Sequence, residues 1–256
     1  VGKMPAGEAL LTTRPFRSPH HTISDAGMVG GGSIPQPGEI SMAHHGVLFL
    51  DELPEFNRRS LESLRQPLEE GLVTISRAAH STTFPPDFVM IASMNPCPCG
   101  FLGDPKHMCK CTPMSVEKYM GRISGPLLDR IDLHVEVPPV PFDDLAKPGE
   151  GTTSAKMREE VFRARAVQEA RFGKGAGKLN GRMTSKQIRT HCKLDADGLA
   201  ALKEAMEGLG LSARAHDRIL RVARTVADLA GSANITQDHI TEAIGFRALD
   251  RKLWEN

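Results

Sequence analysis

Two groups of residues in this 256-residue chain have types and spacing that suit chemistry. The first is Asp51-Glu52, an acid pair that ends the apolar run Gly46-Val47-Leu48-Phe49-Leu50. A nucleotide-hydrolysing site needs one carboxylate to hold Mg²⁺ and a second to polarise the attacking water, and this is the Walker B pattern. A core strand that reaches solvent at an acidic turn has the same composition, so neighbouring motifs must decide. The second group is Cys97-Pro98-Cys99 and Cys109-Lys110-Cys111, two C-x-C pairs nine residues apart with His107 close by. Four thiolates at this spacing suit tetrahedral Zn²⁺, which would staple a loop too short to have its own core. Free or redox-active thiols are the other reading, and a structural disulfide is disfavoured in a reducing compartment. Cys192 stands alone and is read as packing. His20-His21 and His44-His45 are not read as a metal site, because adjacent side chains project in different directions and no acids are clearly placed with them.

The usual partner of such an acid pair is a phosphate-cradling loop, G-x-x-x-x-G-K-[ST]. No such string occurs. Gly173-Lys174-Gly175-Ala176-Gly177-Lys178 falls short, with Phe172 where the first glycine belongs and Leu179 where the Mg²⁺-binding hydroxyl belongs, and reads as a flexible linker. The chain opens on Val1, so it is expected to be a fragment cut downstream of a phosphate loop, and by itself to neither bind ATP tightly nor hydrolyse it.

Composition sets wider bounds. With 40% hydrophobic and 25% charged residues the chain is an ordinary globular protein with enough length for one or two cores. It has no long unbroken apolar segment and no charged-then-apolar leader, so the expected setting is cytoplasmic, with no membrane. The net charge of +1 carries no information about partners, but residues 156–193 hold eleven Lys and Arg against Glu159, Glu160 and Glu169. That stretch could track phosphates, but a solvated helix face and linker is the favoured reading.

The elements that must position these residues follow from periodicity. Residues 46–50 read as a strand buried on both faces of a parallel sheet, with the acids emerging at its carboxyl end, where ligands bind in open α/β sheets. Residues 1–45 read as loops with short helical pieces. Residues 57–70 read as a helix kinked by Pro67, residues 72–77 and 82–84 as a hairpin, and residues 88–94 as a second buried strand ending at Asn95. Thr112-Pro113 caps a helix, 127–130 is a further helical turn, and 132–137 reads as a strand stopped by Pro138-Pro139. Helices are then expected over 153–172, 185–191, 195–207, 212–229 and 236–247, with Leu199, Leu202, Met206 and Ile219 among their apolar residues.

The order of these strings resembles the AAA+ ATPases of the magnesium-chelatase-like YifB/ComM family. The resemblance rests on Arg14-Pro15-Phe16-Arg17-Ser18-Pro19-His20-His21, the block from Pro37 to Glu55, and Arg122-Ile123-Ser124-Gly125-Pro126 through Leu127-Leu128-Asp129-Arg130-Ile131-Asp132. It implies a partial AAA+ parallel-sheet core with a β-hairpin insertion over 1–150, a helix and linker over 151–183, and an α-helical lid over 184–256. It implies ATP and Mg²⁺ as cofactors, with Asp51 at the metal and Glu52 as the base. Asn95 would be the sensor-1 amide, Arg130 an arginine finger donated into a neighbouring subunit's site, and Arg214 the sensor-2 residue on the lid. Turn capping by Asn95, an Arg130 pair with Asp129 or Asp132, and a solvated Arg214 are the plain alternatives. A finger in trans implies a homo-hexameric ring, and the hairpin would line its pore, with Arg77 and His80 toward a polyanion. The function implied is a motor acting on DNA, in the manner of branch migration. A protein-remodelling ATPase like the magnesium-chelatase I subunit, with a partner protein, is the second reading. A zinc-stapled interaction module is the third. The Gly-rich stretch before Glu39 and the Leu48-Phe49-Leu50-Asp51-Glu52 string are also similar to enhancer-binding activators.

Overall fold

The computed structural model of the chain describes residues 13–32, 35–76, 81–142, 146, 151–175 and 178–247. Two compact units divide it after Arg130.

In the first unit β1 (Phe16–Arg17), β4 (Val47–Leu50) and β7 (Val89–Ala92) form a parallel sheet in the order β1-β4-β7. Alternation along β4 sends Leu48 and Leu50 to one face, where both are 0% exposed, and half-buries Val47 and Phe49 on the other. The strand is therefore buried on one face, not on both. The open face carries Phe16, stacked on Phe49 at 6.1 Å, with Val89 and Ile91 at 60% and 47% exposure. The expected burial of the second strand fails for the same reason: β7 has β4 on one side and no further strand among the described residues. Parallel strands are ordinarily covered on both faces, so this face is apolar and bare.

The same unit holds α1 (Asp25–Val29), α2 (Glu39–Met42), α3 (Arg58–Ser63) and α4 (Arg65–Glu70), with Met28, Ile40 and Leu61 buried on them and Leu64 buried between α3 and α4. Short strands β2 (Gly30–Gly31) and β3 (Gln36–Pro37) pair between α1 and α2. The helix break expected at Pro67 lies three residues earlier, at Leu64. Pro67 has no N–H to give the Ser63 carbonyl, and its ring crowds that same carbonyl, so the interruption falls one turn before the proline. The hairpin forms as β5 (Val73–Ser76) and β6 (Ser81–Phe84), antiparallel, with Val73 opposite Phe84. Arg77 and His80, at its turn, lie outside the described residues. Two capped helices, α5 (Pro113–Met120, Thr112 accepting from Ser115) and α6 (Gly125–Leu128, Ser124 accepting from Leu127), complete this unit.

Gly46 is where β4 can begin. Its ideal Cβ would lie 1.9 Å from the Pro15 carbonyl oxygen, the group that accepts the Val47 N–H at 2.9 Å. Gly46→Ala is expected to push β1 away from β4 and cost about 3 kcal/mol, read as a lowered urea midpoint with unchanged slope.

The second unit is helical. It contains α7 (Ser154–Phe172), α8 (Ser185–His191), α9 (Ala196–Gly208), α10 (Ala213–Leu229) and α11 (Gln237–Gly245). Each follows a Ser, Thr or Asp: Thr153, Thr184, Asp195 and Ser212 accept a backbone N–H, and Thr184 and Thr236 open capping boxes. Leu202, Ile219, Ala223, Ile235 and Ile240 are buried together with Met183 and Cys192. Burial pushes the Cys192 thiol up to about 11, which makes it an inert packing group. Leu199 is 60% exposed and does not join this core. The strand expected over 132–137 is absent: Leu133, Val135 and Val137 are exposed, and the one backbone bond there runs from His134 N–H to the Phe246 carbonyl. Alternation supplies the pattern of a strand, but among the described residues no neighbouring strand pairs with it. The end of α7 is tied to α10 by a buried polar network, in which Asp228 accepts two bonds from Arg171 at 2.7 Å and one each from Asn180 and Arg224. Ala176 and Gly177 of the expected linker lie outside the described residues.

Candidate functional site

Strand register brings the acid pair and the asparagine strand end together. Val47 to Leu50 pair with Val89 to Ala92 in parallel, so Asp51 and Ser93 leave the sheet side by side. The ladder continues past the strands, with Ser93 N–H donating to Leu50 O at 3.0 Å and Leu53 N–H to Ser93 O at 2.9 Å. The Ser93 hydroxyl donates to Asp51 Oδ1, which also takes the Glu52 N–H at 3.0 Å. Glu52 has φ 54° and ψ 49°, the left-handed region, which costs a non-glycine residue roughly 1 kcal/mol. The turn aims its carboxylate into solvent, where Oε2 lies 3.3 Å from His21 Nδ1. Serine and carboxylate oxygens at the strand end form a hard donor set that suits Mg²⁺.

Ser93 and His21 are site neighbours that sequence reasoning missed. Ser93 had a signal in its place two residues before Asn95 on the same strand end. His21 had none, because its approach to Glu52 depends on how the chain returns after β1.

Asn95 is exposed beside this end, whereas Tyr119 is buried. Burial pushes the Tyr119 hydroxyl up, and a hydrogen bond from the Asn95 backbone draws it partly back. Arg130, in contrast, is 9% exposed. Within its own unit it donates to Glu69 and, at 2.6 Å, to the Pro126 carbonyl. Arg214 is exposed in the first turn of α10, on the second unit.

The four cysteines Cys97, Cys99, Cys109 and Cys111 converge, with all their sulfurs within 4.8 Å of one another. Three of the separations are 3.4, 3.7 and 3.6 Å. These are too long for a disulfide, which needs about 2.0 Å, and close to the edge of about 3.8 Å that a tetrahedron with 2.3 Å zinc–sulfur bonds requires. Backbone N–H groups of Phe101 and Lys110 pull the Cys99 thiol down to about 6, while hydrogen bonding to Cys99 holds Cys111 up. One thiolate thus resists a second, and a divalent cation supplies the charge that lets all four ionise. The residues fit a structural metal centre. His107 is not part of it, being exposed and paired with Asp104 at 3.0 Å. Cys97 alone of the four is fully buried.

Sequence comparison places these groups in a known lineage. The chain matches the model of magnesium chelatase, subunit ChlI, over residues 1–145, and that of its C-terminal part over residues 151–247. It belongs to the magnesium chelatase ChlI family. Within that family it is 49% identical over 241 residues to the competence protein ComM of Haemophilus influenzae and 47% identical over 243 residues to YifB of Escherichia coli, in each case over 94% of this chain and 46% of the relative. The magnesium-chelatase 38 kDa subunit of Chlorobaculum parvum is 23% identical over 82% of this chain and 54% of its own length. The chain thus spans about half the length of the relatives it matches. No described helix is long and apolar enough to cross a membrane.

Proposed function

We propose that this chain is the Walker B, sensor and lid portion of a cytoplasmic AAA+ ATPase whose active form is a homo-hexameric ring acting on DNA. The observation that carries the reading is the register of β4 on β7, which sets Asp51-Glu52 and Asn95 at one sheet end, with Ser93 bonded to Asp51. Bound MgATP would supply the phosphoryl group and the cation that neutralises its developing charge. Asp51 would hold the cation. Glu52, presented to solvent by its left-handed turn, would take the proton of the attacking water, and Asn95 would fix that water or the γ-phosphate. Arg214 would reach the phosphates from the lid. The four thiolates would hold Zn²⁺ as a structural ion.

The phosphate cradle has no counterpart in this sequence, so the chain by itself would neither bind ATP tightly nor turn it over. The bare sheet face of Phe16, Phe49, Val89 and Ile91 is where the remainder of the nucleotide-binding core would pack, in keeping with relatives about twice as long.

Arg130 would act in trans after exchanging Glu69 for a neighbour's phosphates. In rings of a protein that carries the phosphate loop, mixed from Arg130→Ala and Glu52→Gln subunits that are each inactive alone, some interfaces pair an intact finger with an intact base. Turnover should reappear on mixing, and mixtures that stay at the level of the pure variants would refute the trans assignment.

DNA is the proposed substrate because ComM, a competence protein, is among the relatives, and because the sequence places the cationic Arg77 and the titratable His80 between the two strands of the hairpin. Binding to single-stranded or branched DNA should weaken as salt rises and fall further in Arg77→Ala/His80→Ala, by up to about tenfold for lost phosphate contacts. No binding at low salt, together with ATP turnover stimulated by a partner protein, would favour the protein-remodelling role that the magnesium-chelatase relatives bring forward.

A further inference from the structure

Between Ser93 and Thr112 the chain makes an excursion with almost no core of its own. Phe101, Leu102 and Met108 are 41%, 46% and 86% exposed, and what gathers the segment is the set of four sulfurs. Both arms of the excursion lead to Asn95. On the entering arm Asn95 stands two residues before the buried Cys97, and the turn that follows is closed by Gly100 N–H on the Cys97 carbonyl at 3.0 Å. Gly100, at φ +81°, faces the Asn95 side chain, so that a Cβ added there would come to 3.9 Å from Asn95 Cγ. On the leaving arm Cys111 runs directly into the Thr112 cap of α5, and two turns along that helix stands Tyr119, 7% exposed and near enough to Asn95 for its backbone to draw the Tyr119 hydroxyl down against burial. Asn95 therefore lies between two segments that the sulfur cluster joins.

We propose that the four-cysteine knuckle, with Zn²⁺ bound, is a clamp that fixes the position of Asn95, and that Tyr119 is the positioning residue on its far arm. The consequence for catalysis rests on the reading of Asn95 as the amide that fixes the γ-phosphate or the attacking water. The clamp itself does not. A loop of this length without apolar burial keeps its shape only while its crosslink closes it, so loss of the metal frees Cys97, Gly100 and the α5 cap together and releases Asn95 from both contacts.

The test separates the clamp from the catalytic reading. Metal analysis of purified, reduced protein should find about one Zn²⁺ per chain, and protein that neither contains zinc nor takes up added Zn²⁺ overturns the proposal. In the ¹⁵N-labelled chain the Asn95 side-chain amide, assigned with Asn95→Asp, should shift or broaden when a chelator removes the metal. It should return when Zn²⁺ is restored, while Asn180 in the second unit stays in place throughout. Tyr119→Phe should move the same amide with zinc content unchanged. An Asn95 amide indifferent to metal or to Tyr119→Phe overturns the clamp. In a protein that carries the phosphate loop, Tyr119→Phe should lower turnover by about tenfold, the usual scale for a residue that orients another, at unchanged KM for ATP, and Asn95→Ala should remove that sensitivity. Additive losses overturn the coupling. If the amide responds but Asn95→Ala leaves turnover intact, the clamp stands and the sensor reading fails.

Discussion

Glu52→Gln, in a protein that supplies the phosphate loop, is expected to lower kcat for ATP by two to three orders of magnitude, on the scale of about 10²–10⁴ that a positioned general base contributes, while nucleotide still binds. The two side chains have nearly the same shape, so the left-handed turn at φ 54° and the approach to His21 at 3.3 Å survive the change. What the amide loses is the capacity to accept a proton. Asp51 keeps its bonds from Ser93 and from the residue-52 N–H, so the cation site is expected to remain. Phosphate release at saturating ATP, measured beside fluorescent-nucleotide binding, separates the two effects. A variant that retains more than about a third of the wild-type kcat would exclude Glu52 as the base.

The largest effect on stability is expected at Asp228→Ala. The carboxylate is 3% exposed and lies between Arg171 and Arg224, with Asn180 closing the set. Its removal leaves guanidinium groups of 14% and 3% side-chain exposure facing one another without a counter-charge, and breaking a buried pair in this way costs about 4 kcal/mol. Thermal unfolding followed by circular dichroism should record the loss in the helical unit. Arg171→Met added to Asp228→Ala should cost less than the sum of the single changes, because the second substitution removes a stranded charge. A loss below about 1 kcal/mol would mean that the network contributes no more than an exposed ion pair.

The same group fixes a pH dependence. Burial pushes the Asp228 carboxyl up, but the hydrogen bonds from Arg171 and Asn180 and the charge of Arg224 outweigh it and hold it below the ordinary carboxylate value. A folded-state pKa below the unfolded value of about 3.9 gives stability that is complete above that pH and is lost as pH falls through the folded value. The helical unit should therefore be insensitive to Asp228 ionisation between neutral pH and about pH 5 and weaken below about pH 4. In Asp228→Ala that part of the acid sensitivity should vanish.

Much of the local structure was legible in the sequence. Ser and Thr before the apolar periods mark the starts of α5, α7, α8 and α10, because a cap is settled by a hydroxyl and an N–H two or three residues away. The hairpin of β5 and β6 and the convergence of the cysteine pairs are local in the same sense. Legibility stopped where an element needs a distant partner. Residues 132–137 alternate as a strand does, yet among the described residues no strand pairs with them. The run at residues 88–94 has the composition of a buried strand but forms a sheet edge with one open face.

For the candidate site the division is sharper. Residue order alone determined which groups exist and that the acid pair and Asn95 stand at strand ends, because apolar runs and their abrupt polar stops are properties of consecutive residues. Only the tertiary structure decided which of them meet. Ser93 reaches Asp51 across 42 residues of chain, and Glu69 holds Arg130 across 61. Tyr119 of α5 comes near the Asn95 backbone, and the four sulfurs meet in the loop between them. Such encounters depend on sheet register and on how loops close, and both are settled by the packing of the whole unit.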